Sequence, residues 1–213
     1  MKAVLFAAGK STRTHPLTLT RPKPLLPVAN KPIVLHLLQA LPKVIDEVVL
    51  VVGYRHEMIR ELLGDTFGGL RIRYVMQEEQ KGTGHALLQC KNVIDEPFLA
   101  FNGDDIYHTD DIAVLAGLDQ GALCKTVPDP ARFGVFVVDG NNLIEEVIEK
   151  PQTPVSDLAN IGAYKLTPDI FKILHQTPAS SRGEIEITSA IQELAGQVPF
   201  KAAPINGHWL SIG

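Results

Sequence analysis

Short apolar runs alternate with amphipathic stretches over the first hundred or so residues. Lys2 to Phe6 is apolar and β-prone, which predicts a buried first strand. Glu47 to Val52 (closed by Gly53), Ile72 to Met76 and Phe98 to Phe101 predict three more strands. Between them, helices are expected over Pro32–Leu41, Glu57–Leu63 and Gly84–Cys90, the first opening on a proline suited to an initial turn. Alternation of this kind predicts an α/β fold with a parallel sheet, helices on both faces, and ligands beyond the strands' C-terminal ends. From about residue 120 the pattern changes. Leu123–Val127, Gly134–Val138, Leu143–Glu149 and Asn160–Lys165 read as strands. The middle pair is joined by Asp139-Gly140-Asn141-Asn142, a strong hairpin turn. Pro168–Leu174 and Glu186–Leu194 read as helices, and His208–Gly213 is strand-like. No repeat or flexible linker divides the chain, so residues 1–213 read as one domain with two subregions, 1–120 and 121–213.

At 45% hydrophobic, 213 residues can bury a proper core. The net charge of -4 argues against general nucleic-acid binding, so any anion site must be a local concentration of Arg and Lys. Cys90 and Cys124 form no Cys-x-x-Cys pair, which disfavours a zinc site or a disulfide framework and suits a reducing cytoplasm. No apolar run approaches the ~18 residues of a membrane span. The Val4–Ala8 run is too short for a signal peptide and has no cleavage site after it.

The chemistry concentrates in Leu5-Phe6-Ala7-Ala8-Gly9-Lys10-Ser11-Thr12-Arg13 and the following Arg21-Pro22-Lys23-Pro24. Small residues after a strand let backbone N–H groups approach an anion, a helix N-terminus would add a favourable dipole, and Arg13 and Lys23 supply fixed positive charge. Gly9-Lys10-Ser11 imitates the tail of a P-loop, but Val4 stands where that motif needs its first glycine. The dinucleotide fingerprint needs three glycines and this turn has one. What remains resembles the signature of the sugar-1-phosphate nucleotidylyltransferases, Leu-x-Ala-Gly-x-Gly-Thr-Arg followed by Pro-Lys-Pro-Leu-x-Pro-Val. Leu5, Ala8, Gly9, Thr12, Arg13, Pro22, Lys23, Pro24, Leu25, Pro27 and Val28 fit, and Ser11 replaces the second glycine. The resemblance implies a Rossmann-like three-layer fold with a mostly parallel mixed central sheet and a smaller β-rich sugar-binding subregion at 121–213. It implies nucleoside triphosphate and sugar 1-phosphate as substrates. Ala7, Ala8, Gly9, Lys10, Ser11 and Thr12 would hold the nucleotide, and Arg13 and Lys23 would act in catalysis.

Gln77-Glu78-Glu79-Gln80-Lys81-Gly82-Thr83-Gly84-His85-Ala86 is the second signal. A glutamine amide offers donor and acceptor together, which suits a pyrimidine edge, and Thr83 can cap the following helix. The segment resembles the uracil-binding loop of N-acetylglucosamine-1-phosphate uridylyltransferases, which implies that Gln77, Gly82 and Thr83 contact the base. Asp104 follows a buried strand and a glycine, a position suited to Mg²⁺, and the resemblance makes it the metal ligand. Asp105 is the fallback, while Asp110 and Asp111 read as a solvated helix start. By the same resemblance Gly134, Glu149 and Asn160 contact the sugar, Lys150 its phosphate, and Tyr107 lines that pocket.

Many relatives carry Tyr-Trp-x-Asp-x-Gly where this chain has His208-Trp209-Leu210-Ser211-Ile212-Gly213, so Ser211 stands in place of a second carboxylate ligand. Relatives usually continue past this point, so a truncated or minimal form is expected. The resemblance implies transfer of a uridylyl group with release of pyrophosphate, with dTTP or CTP as other nucleotides. A catalytically silent sugar-nucleotide-binding module is the rival reading. Self-association into a homo-oligomer is left open.

Overall fold

The structure, a computed structural model, describes residues 1–153 and 155–212. In chain order the first half contains β1 (Lys2–Ala7), β2 (Pro27–Val28), β3 (Lys31–Pro32), α1 (Ile33–Ala40), β4 (Glu47–Val52), α2 (His56–Leu63), β5 (Thr66–Phe67), β6 (Leu70–Met76), α3 (Thr83–Leu88), β7 (Phe98–Asn102), β8 (Asp105–Tyr107) and α4 (Thr109–Ala116). The second half contains β9 (Gly121–Thr126), β10 (Gly134–Val138), β11 (Ile144–Glu149), β12 (Leu158–Leu166), α5 (Ile170–Gln176), α6 (Ile187–Ala195), β13 (Lys201–Pro204) and β14 (Trp209–Ser211).

One mixed sheet of ten strands organises the molecule, with the path β11-β10-β12-β7-β1-β4-β6-β5 and β9 and β13 branching from β12. Strands β7, β1, β4 and β6 run parallel, and β12 joins β7 antiparallel, so the later half continues the sheet of the first. Alternate residues of the central strands enter opposite cores. Val4, Val49 and Val51 pack with α3, α5 and α6, while Leu5, Val48 and Leu50 pack with α1, α2 and α4. That is the three-layer α/β arrangement. It explains why β4 reads as an unbroken apolar run: every residue in it is buried. At about 25 cal/mol per Å² of apolar surface removed from water, these two layers are the main stabilising term. Glu47 is the charged exception in β4, held by Arg73 at 2.7 Å and Arg71 at 3.1 Å.

The expected hairpin forms because Asp139 Oδ1 accepts the N–H groups of Asn141 and Leu143, both at 2.8 Å. Strands β5, β8 and β13, which no sequence pattern marked, are only two to four residues long and take their shape from their neighbours. The expected solvated helix start is corrected at Asp111. This carboxylate is buried and accepts the N–H groups of Asn206 at 2.9 Å and Gly207 at 3.0 Å, tying α4 to the chain before β14. The strand-like C-terminal stretch forms β14 against β8, with Gly213 outside the described residues. Among the described residues, no helix is long and apolar enough to cross a membrane.

Candidate active site

Strand register assembles the site. Parallel pairing sets Phe6 beside Asn102, and the Gly103 N–H donates to Phe6 O at 3.0 Å. The turn after β7 is thereby laid against the loop after β1. A Cβ on Gly103 would lie 2.6 Å from Phe6 O, so only glycine permits this approach. A cavity of about 420 Å³ opens here, lined by Ala7, Ala8, Gly9, Ser11, Thr12 and Arg13 on one side and by Gln77, Gly82, Thr83 and Asp104 elsewhere. Lys23 also lines it, buried within the turn Lys23–Leu25, with its Nζ 2.6 Å from Asp104 Oδ2. Arg13 is exposed and makes no ion pair among the described residues. Guanidinium, ammonium and carboxylate therefore face one space. Lys10 is exposed and outside the lining.

The helix dipole expected at the first loop is corrected. The loop's only helical turn is a single 3-10 turn at Thr12–Thr14, too short to bring a helix dipole to an anion. The unusual backbone sits at Ser11, with φ 50° and ψ 49°, and not at Gly9. A serine in the left-handed region carries a cost of about 1–2 kcal/mol that glycine avoids.

At the far side of the cavity, Gln77 is buried, and its Nε2 donates to Gly82 O at 3.2 Å and lies 3.0 Å from His85 Nδ1. The donor end is thus committed within the loop, while Oε1 has no protein partner among the described residues and is not sealed from solvent. Of this lining side chain the acceptor is the end left unengaged, not the donor and acceptor together that the sequence suggested. Gly82, at φ 99°, precedes α3, and a Cβ there would lie 2.5 Å from Ile185 O. Thr83 makes no cap on α3, because the N-cap position falls on Gly82 and Thr83 is the first helical residue; its hydroxyl instead accepts the Ile187 N–H at 3.3 Å.

The residues expected to hold a sugar form a neighbouring cluster outside the cavity lining. A Cβ on Gly134 would lie 3.0 Å from Glu149 Oε2 and 3.9 Å from Asn160 Cβ. Lys150 Nζ is 3.8 Å from Glu149 Oε1. Asn160 donates to Tyr164 Oη at 2.9 Å and accepts the Gly162 N–H at 3.0 Å. Arg182, which the sequence reading missed, links the two regions. Its guanidinium lies 2.7 Å from Glu186, 3.6 Å from Glu149 and 3.9 Å from Glu184, and Glu184 lines the cavity. Gln80 and Asn102 also line it unforeseen. Their residue types are common in turns, and only the fold shows where they point. Tyr107 lies outside the cavity lining: it is buried, and its hydroxyl donates to Ile161 O at 2.8 Å, bracing the irregular part of β12.

Asp105 is buried beneath Asp104. It accepts from Trp209 Nε1 at 3.3 Å and from Asn102 Nδ2 at 3.4 Å. Burial, and secondarily the adjacent Asp104 carboxylate, push its pKa up to about 6, while hydrogen bonds from Asn102, Trp209 and Ser211 oppose the shift. Ser211 pairs directly opposite Asp105 across β8 and β14 and borders a separate cavity near Lys125 and Arg132. An aspartate at 211 would set a second carboxylate against Asp105, which supplies a physical reason for the serine. Ser211→Asp is expected to lower the melting temperature, and combining it with Asp105→Asn should recover the loss. Because Asp105 binds its proton more tightly when folded, its ionisation destabilises the fold as pH rises from about 4 through 6. Asp105→Asn should therefore gain on the order of 2 kcal/mol at pH 7 and flatten that pH dependence in denaturant titrations.

Among the described residues, no three His, Cys, Asp or Glu side chains gather as a metal cage. Burial pushes the thiols of Cys90 and Cys124 up to about 12, so neither is a reactive group.

Comparison with known proteins bears on family and fold. The family model described as nucleotidyl transferase matches residues 2–213. The whole chain aligns at 38% identity with 51% of the bifunctional protein GlmU of Methanocaldococcus jannaschii. It aligns at 39% identity with 91% of the UTP–glucose-1-phosphate uridylyltransferase AglF of Haloferax volcanii. The chain thus spans about half the length of the GlmU relatives it matches. A crystal structure of UDP-glucose pyrophosphorylase with UDP-glucose superposes with a TM-score of 0.87 at 27% identity, over 99% of this chain and 92% of that one.

Proposed function

Because the chain belongs to the nucleotidyl transferase family, as the match over residues 2–213 shows, we propose that it joins a sugar 1-phosphate to a nucleoside triphosphate, UTP in first place, and releases pyrophosphate. The observation that carries this reading is the polarity of one cavity. Arg13 and Lys23 make one end cationic, and the Gln77 oxygen with the Gly82 turn makes the other an edge for a flat base. Its volume of about 420 Å³ falls in the range of small-molecule sites. The relative AglF carries UTP and glucose 1-phosphate in its name, which fits the same pair.

A sugar phosphate oxygen is already an adequate nucleophile. It attacks the α-phosphorus in line; the new O–P bond forms as the bond to the bridging oxygen between the α- and β-phosphates breaks, and pyrophosphate leaves with that electron pair. Catalysis is then positioning plus charge stabilisation. Lys23 neutralises the α-phosphate, and Arg13 with the backbone from Gly9 to Thr12 takes the charge growing on pyrophosphate. The Gln77 oxygen accepts the N3–H of uracil. The Glu149, Asn160 and Gly134 cluster offers acceptors and donors to sugar hydroxyls, with Lys150 and Arg182 for the sugar's phosphate. Asp104 is a hard oxygen ligand at the cavity wall, fitted to hold Mg²⁺ together with substrate oxygens, and the ion when bound supplies further charge neutralisation at the phosphates. We place the nucleotide in residues 1–120 and the sugar in 121–213.

Pyrophosphate release, followed with UTP, dTTP and CTP against a panel of sugar 1-phosphates, tests the reading. UTP with a hexose or N-acetylhexosamine 1-phosphate should give the fastest release. Release with no pair, alongside intact nucleotide binding, would mark a non-catalytic binding module, for which the serines at 11 and 211 are the observations in favour.

A further inference from the structure

The segment from His15 to Thr20 is an exposed loop, with Leu17 63% and Leu19 53% accessible, yet Thr18 within it is fully buried. Its hydroxyl does not serve its own loop. Thr18 Oγ1 donates to Ser11 O at 2.8 Å, and Thr14 Oγ1 donates to the same oxygen at 2.8 Å. The Thr14 N–H donates to it as well, at 3.1 Å. Three donors therefore converge on the carbonyl of the one strained residue in the phosphate loop. From the other side, Tyr54 Oη lies 3.1 Å from Thr18 O and 3.0 Å from Leu19 O, and Arg55 donates to Leu19 O at 3.1 Å, so the turn after β4 holds the loop down.

The Ser11–Thr12 peptide is trans, so its C=O and N–H point in opposite directions. Pinning the Ser11 carbonyl toward Thr18 sends the Thr12 N–H the other way, and Ser11, Thr12 and Arg13 all line the cavity. That N–H has no partner among the described residues. We propose that Thr18, seconded by Thr14, is a positioning residue that holds Ser11 in the left-handed conformation and thereby aims the Thr12 N–H at the departing phosphates. This rests on the nucleotide reading above. Where a glycine would adopt this conformation without cost, the serine needs hydroxyl groups to hold it there.

The test compares Thr18→Val, Thr18→Ser and the double variant Ser11→Gly with Thr18→Val in the full chain. Thr18→Val should lower kcat/KM for the nucleotide about tenfold, less than the loss of a whole anion donor, and leave KM for the sugar 1-phosphate unchanged. Thr18→Ser should keep activity. Adding Ser11→Gly to Thr18→Val should restore kcat/KM to within about threefold of the parent, because glycine needs no pin. The Thr12 amide resonance should shift when inorganic pyrophosphate is added to the parent and shift less in Thr18→Val. Equal kcat/KM in Thr18→Val overturns the proposal. So does a loss that Ser11→Gly does not recover, since that marks a merely structural threonine. A parent that binds neither nucleotide nor pyrophosphate overturns the functional reading and the positioning role together, whereas a parent that turns over with Thr18→Val unaffected overturns the positioning role alone.

Discussion

Replacing Lys23 by methionine is expected to cut turnover at saturating substrates by roughly 10²-fold or more, with little change in melting temperature. The side chain is 4% exposed and its ammonium faces the cavity through a 2.6 Å contact with Asp104. In the proposed reaction its charge stands where negative charge shifts, and losing one preorganised group of this kind costs about 10²–10³ in rate. The fold tolerates the change because methionine fills the aliphatic stem's place. Asp104 is left at 32% side-chain exposure, where water can solvate it. Single-turnover pyrophosphate release alongside a thermal melt checks both parts. Near-parental turnover would remove Lys23 from the reaction.

Asp104→Asn should be the more disruptive member of the pair. The asparagine oxygen still accepts a hydrogen bond from Lys23, but the buried ammonium loses its counter-charge, and such a loss costs about 1–3 kcal/mol. The variant should therefore melt several degrees lower than the parent, whereas Lys23→Met should not. Its second effect is on metal affinity. With one carboxylate in place of a cage, the neutral amide should weaken Mn²⁺ binding, read by electron paramagnetic resonance, by at least tenfold, and turnover should fall by roughly 10²-fold or more. Unchanged Mn²⁺ affinity would show that the ion is held elsewhere. Ser211 gives no ready alternative, since it faces Asp105 across the strand pair.

The Lys23–Asp104 contact also shows what a linear reading cannot reach. Pro22 and Pro24 around Lys23, and the glycine before Asp104, marked both residues as candidates, but nothing in either segment says that they touch across 81 positions. Gln77 stood out as a candidate, yet the direction its amide faces depends on Gly82 and His85. Neither Arg182 nor Thr18 carried a motif, and only the fold shows what each one touches.

The sequence by itself determined the parallel strands, their two-sided burial, and the two loops after β1 and β6 as the places to look for chemistry. Apolar periodicity and turn chemistry act over a few residues and are written locally. Tertiary structure alone decided which groups meet. The Phe6–Asn102 register carries Asp104 to Lys23, the β8–β14 pairing sets Ser211 against Asp105, and the buried Thr18 hydroxyl reaches back to Ser11. Strand order and register, set by how the whole chain buries its apolar faces, fix those distances, and no short stretch of sequence contains them.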